Sequence, residues 1–146
     1  ELANFWQRGR SAEVYANLQY FQNGEETLNQ NVGLRVHGNA ARMNEKKNLQ
    51  LFSRSSYSGN SVFETRIFEG VDSHGLYISS SKEKAYCLGL AEGRNLGLQS
   101  VEKAVLFLNG EYWYNTYLLE KYNNLKIKAK CFFRFKRAKK QIENNK

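Results

Sequence analysis

Proline is absent from the 146 residues, cysteine occurs twice, and no apolar run approaches the roughly 18 residues of a membrane-spanning helix. Two cysteines, Cys87 and Cys131, are too few for a disulfide framework. Neither sits among histidines in the spacing of a metal site, so metal: none is the expectation. Cys87 falls in a segment of helical spacing, where we expect a buried free thiol that packs as a small hydrophobe. The first residues lack the pattern of a secretory signal, and no membrane span is expected. The missing proline adds nothing specific.

Acidic residues are also scarce, but only in one place. The net charge is +8. Residues 1–120 carry 12 Lys and Arg against 13 acids, whereas residues 121–146 carry 10 against one, Glu143. The basic character therefore belongs to the last segment, and 1–120 is close to neutral. The 146 residues are one domain's worth of chain at most, and 41% hydrophobic and 14% aromatic residues over the whole chain are enough for a real core.

What is present reads mainly as strands. Val14, Ala16, Leu18 and Tyr20 alternate with polar residues, Asn23-Gly24 turns the chain, and Val32, Leu34 and Val36 alternate again with Arg35 and His37 on the other face. Residues 49–52 form a third strand and 76–78 a further short one. Residues 53–61 are a polar loop without a cue for regular structure, and 62–68 are a short strand or extended segment. Ala85, Leu88, Leu90 and Ala91 give residues 82–96 helical spacing, weakened by Gly89. The pattern closes with VLFLNGEYWYNTYLLEK at 105–121. Asn109-Gly110 is a strong two-residue hairpin signal, because both turn positions need φ > 0. The fold class expected is α+β: a mostly antiparallel sheet with one helix packed on it.

Several blocks together resemble the spore coat protein H (CotH-type) family of atypical protein kinases. NFWQRGR at 4–10 is similar to that family's NY…RGRE opening, and NQNVGLRVHGNAAR at 29–42 to its SQNAGIRIHGGASR strand and loop. KNLQLFSR at 47–54, followed by Tyr57, is similar to KSFRLYAR…YG. LAEGRNLGLQ at 90–99 and the hairpin with Glu120-Lys121 are similar to the segment ending in NGEYWG…EKY. The resemblance implies that residues 1–121 are the small lobe of an atypical kinase fold, with the larger lobe absent. It also implies a secreted or surface location, transfer of the ATP γ-phosphoryl group to serine of a protein substrate, and magnesium as the divalent metal.

The same resemblance nominates cofactor-binding residues. Lys47 would point toward nucleotide phosphates as a mobile point charge. Arg42 and Asn39 would lie in the phosphate-side loop, and Glu120 at the lobe junction. His37 alone reads as a structural hydrogen-bonder. Tyr112, Trp113 and Tyr117 read as cross-strand packing. Gln50 stands where family members often carry arginine, Tyr114 where they carry glycine, and residues 79–84 replace an arginine- and asparagine-rich run. No catalytic residue is expected in this chain, since no Asp follows Lys121 to orient a hydroxyl or hold metal. The chain alone should be inactive.

Residues 122–146 change character. LKIKAKCFFRFKRAKK has no clean period, so a divergent tail, a shifted reading frame and an assembly end compete; a non-native or truncated continuation is the preferred reading. Two further classes stay open: a non-catalytic extracellular binding or structural module, and a nucleic-acid binder resting on this segment alone, which is disfavoured.

Overall fold

Two Asn-Gly turns form the hairpins at the sheet's two ends. Asn23 and Gly24 (φ 54° and 86°) join β1 (Val14–Gln22) to β2 (Glu25–Val36), and Asn109 and Gly110 (φ 52° and 82°) join β5 (Val101–Leu108) to β6 (Glu111–Glu120). β3 (Leu49–Phe52) and β4 (Gly75–Ser79) lie between the hairpins. The computed structural model describes residues 5–91 and 98–121. Over that span the six strands form one antiparallel sheet in the order β1-β2-β3-β4-β6-β5. Bulges at Tyr20/Phe21 and Leu106/Phe107 sharpen the twist beside both turns. The sheet curls into a half-barrel; the pKa of Tyr20 on one edge strand is raised chiefly by burial and then by Glu102 on the other edge strand.

Strand alternation sorts the side chains onto two faces. One face buries Leu28, Val32, Val36, Leu49, Leu51, Leu76, Ile78 and Leu118, and is covered by Phe63, Ile67 and Phe68 from the irregular segment between β3 and β4. Gln30, itself on this face and buried, ties that segment down. Its amide donates to Ser53 Oγ (2.8 Å), Ser58 Oγ (2.9 Å) and the Val62 carbonyl (3.3 Å), and its oxygen accepts from Glu64 N–H (3.1 Å).

The sheet-rich α+β arrangement agrees with the sequence expectation; the detail differs in three places. The expected packed helix is α2 (Lys82–Leu90), capped by Ser81 Oγ accepting from Lys84 N–H at 3.2 Å, yet it has no buried residue. Its apolar positions are too few and too interrupted by charge to form a core stripe. Cys87 on it is accordingly a free, exposed thiol rather than a buried one. Of the two alternatives for residues 62–68, the strand is not formed; the segment is irregular, with an isolated bridge from Phe68 to Val71. The polar 53–61 loop contains a one-turn helix, α1 (Ser55–Ser58). The remainder of the expected 82–96 helix, residues 92–96, and all of residues 122–146 lie outside the described residues. No helix among the described residues is long and apolar enough to cross a membrane.

Candidate functional site

The face opposite the core carries the charge. Arg35, Gln50, Tyr77 and Leu119 form one cross-strand row across β2, β3, β4 and β6. Arg35 grips the buried Gln50, donating from Nε (3.3 Å) and Nη2 (3.1 Å) to Oε1. Just past β2, the His37 ring packs 4.4 Å from the Tyr77 ring. The chain then turns through Gly38 into a short 3-10 turn, Ala40–Met43.

These elements border a cleft of about 380 Å³ lined by Arg8, Gly9, Arg35, Val36, His37, Gly38, Asn39, Arg42 and Gln50. Three arginines line it and no carboxylate does. Arg42 is buried, and burial, then Arg8 and Arg35, lowers its pKa. Its Nε donates to the Gly38 carbonyl and its Nη1 to the carbonyls of Phe5 and Gln7. Arg42 thus fastens the N-terminal segment, and with it Arg8, against the loop after β2, while adding positive potential. His37 has its pKa lowered chiefly by burial and then by Lys84, Arg42, Arg35 and Lys121. Its imidazole is therefore harder to protonate than an ordinary one.

Of the four nominated residues, the fold brings Asn39 and Arg42 together at the cleft. Lys47 stands apart from the lining: its ammonium donates to the Asn44 carbonyl at 2.8 Å and sits 4.5 Å over the Phe5 ring. Its own carbonyl accepts from the buried Tyr114 hydroxyl at 2.6 Å. Glu120 ends the row Leu34, Leu51, Leu76 and so lies on the core-facing side of the sheet, away from Arg35 and Gln50. It is 1% exposed and accepts from Ser100 Oγ at 3.0 Å. Among the described residues no three His, Cys, Asp or Glu side chains group as a metal site.

Arg8 and Arg35 are the lining residues that sequence reasoning passed over. Alternation marks Arg35 as outward-facing, which is also the signature of an ordinary solvated arginine. Only the strand register and the fastening of the N-terminal segment bring the two together. No protein-family model matches the chain, and no curated protein matches it.

Proposed function

We propose that the chain is the nucleotide-facing part of a CotH-type protein kinase, and that the Arg8–Arg35–Arg42 cleft receives the phosphates of ATP. The observation that carries this reading is a partly buried cluster of arginines with no carboxylate in its lining. Backbone carbonyls satisfy the buried Arg42 guanidinium but leave its charge uncompensated, so an anion beside it, the partly buried Arg35 and the exposed Arg8 is favourable. Planar forks suit phosphate oxygens, and the donor set fits phosphate. Magnesium does not find its ligands among the described residues, so we derive no step through it. Serine phosphorylation of secreted or surface proteins would need carboxylates from elsewhere; this chain's residues bind and orient.

On this reading Arg35, which lines the cleft, counts for more than Lys47, which lies outside the lining. In equilibrium titrations of the full chain with ATP, Arg35→Gln should weaken affinity by at least about tenfold, the scale of one lost charge-assisted contact. Lys47→Ala should change it by less than about twofold. The reverse order would remove Arg35 from the site and restore Lys47.

A second reading, a non-catalytic extracellular binding module of the same fold, is favoured by Gln50. The family's frequent arginine is replaced there by a buried amide whose oxygen accepts from Arg35. Magnesium-dependent serine phosphorylation by a longer natural form of the chain would eliminate this alternative.

A further inference from the structure

Beside the cleft, Gly33, Phe52 and Gly75 form the next cross-strand row on the same face. The two glycines open wells on either side of the ring, and charged side chains fill both. A Cβ on Gly33 would stand inside the Glu13 side chain, and one on Gly75 would stand 3.0 Å from Cδ of Lys121. Three cations converge on the buried ring: Arg35 lies 4.4 Å from its centroid, Arg54 4.7 Å and the Lys121 ammonium 4.2 Å. Each is attracted by the ring, yet the three repel one another.

Of the three, and among the described residues, only Arg54 is in direct ion-pair contact with a carboxylate, that of Glu13. This carboxylate acts on Lys121 and Arg35 from farther off and only partly offsets them. Glu13 accepts from Arg54 Nε at 2.6 Å and Nη2 at 2.8 Å, and the hydrogen bond from Arg54 holds its carboxyl below the ordinary range. Arg35 donates to the uncharged Gln50. Among the described residues Lys121 has no carboxylate at ion-pair distance. Burial, followed by Arg35 and Arg54, pushes its amine below the usual range.

We propose that Lys121 and Arg35, seated on Phe52 between the two glycines, form a second anion subsite joined to the cleft through Arg35. The ligand class is then an oligophosphate, inorganic or nucleotide-borne, rather than a single phosphate. Arg54, held by Glu13, walls the far side. This assignment rests on the cleft being an anion site, and it adds Lys121 as the residue that selects for chain length.

The test is calorimetric titration of the full chain with inorganic phosphate, pyrophosphate and tripolyphosphate at one ionic strength without metal. The wild type should prefer tripolyphosphate over phosphate by at least about tenfold, the scale of one added charge contact. Lys121→Gln should collapse that preference, and Lys121→Arg should retain most of it. All three forms carry the basic 122–146 segment, so comparing them removes its contribution. A preference that survives in Lys121→Gln overturns the subsite, as does a wild type that binds all three anions equally. If none of the three binds, the cleft itself is not an anion site and both readings fall together.

Discussion

One cross-strand row of this sheet runs Leu34, Leu51, Leu76, Glu120, and the row beside it, turned to the opposite face, runs Arg35, Gln50, Tyr77, Leu119. The first row lies on the face roofed by Phe63, Ile67 and Phe68, and its leucines gain stability by leaving water, whereas the buried Glu120 needs its bond from Ser100 Oγ to offset desolvation. In the second row Gln50 and Leu119 are buried too, Arg35 and Tyr77 are only partly covered, and the other arginines of the cleft lie beside it. A single change of side-chain direction, one residue along each strand, separates what holds the fold from what the fold presents. The comparison teaches that the two faces answer to different perturbations. The core face should respond to lost volume at any pH, and the open face to charge and pH with little dependence on volume.

The largest expected effect lies at the centre of the roofed face. Leu76 is 1% exposed, and Leu76→Ala should destabilise by about 2–5 kcal/mol through lost transfer energy and the cavity left behind. Chemical denaturation would measure it. A loss below about 1 kcal/mol would mean the roof does not pack as described.

Next comes the attachment of the roof. Gln30→Ala removes three donated bonds and the acceptor for Glu64 N–H, for an expected loss of about 1–3 kcal/mol. Amide exchange should accelerate in residues 53–64 before it does in the strands. Uniform acceleration would show that Gln30 supports the sheet as a whole rather than the cover.

The smallest effect, and the one most specific to the open face, is in His37. Its folded pKa is depressed, so the contribution is complete above the ordinary imidazole value of about 6.5. Below that value the unfolded chain accepts a proton that folded His37 refuses, and stability falls as pH drops toward the folded pKa. Sulfate, whose charge is constant across this range, should bind more tightly as His37 protonates. His37→Gln should flatten both pH dependences. A sulfate affinity that stays level between pH 7.5 and pH 5.5 in the wild type would place His37 outside the site.

Much of the sheet was legible because its signals are local. Asn23-Gly24 and Asn109-Gly110 demand positive φ, and the alternation of residues 14–20, 32–36 and 49–52 needs no knowledge of partners. The roof was not legible: Phe63, Ile67, Phe68 and Val71 follow no period, and an irregular segment leaves no pattern even when it covers a core. The helix misled for the converse reason. Ala85, Leu88 and Leu90 sit at helical spacing on α2, but Lys82, Glu83, Lys84 and Gly89 leave too narrow a stripe to bury. Asn39 and Arg42 share one loop and so reach the cleft lining together, whereas Arg8 and Arg35 converge there only through register and tertiary fastening. Lys47 looked placed for phosphate because it precedes β3, yet the direction of its side chain depends on the Asn44 carbonyl and the Phe5 ring.

The most direct test of the central claim, that the open face is an anion site, is a residue-resolved amide NMR titration of the full chain with sulfate at constant ionic strength. The account predicts saturable shifts concentrated at residues 8–9, 35–42 and 50, with little movement at Leu28 or Leu118 on the roofed face. Shifts confined to residues 122–146, or none that saturate, would contradict it.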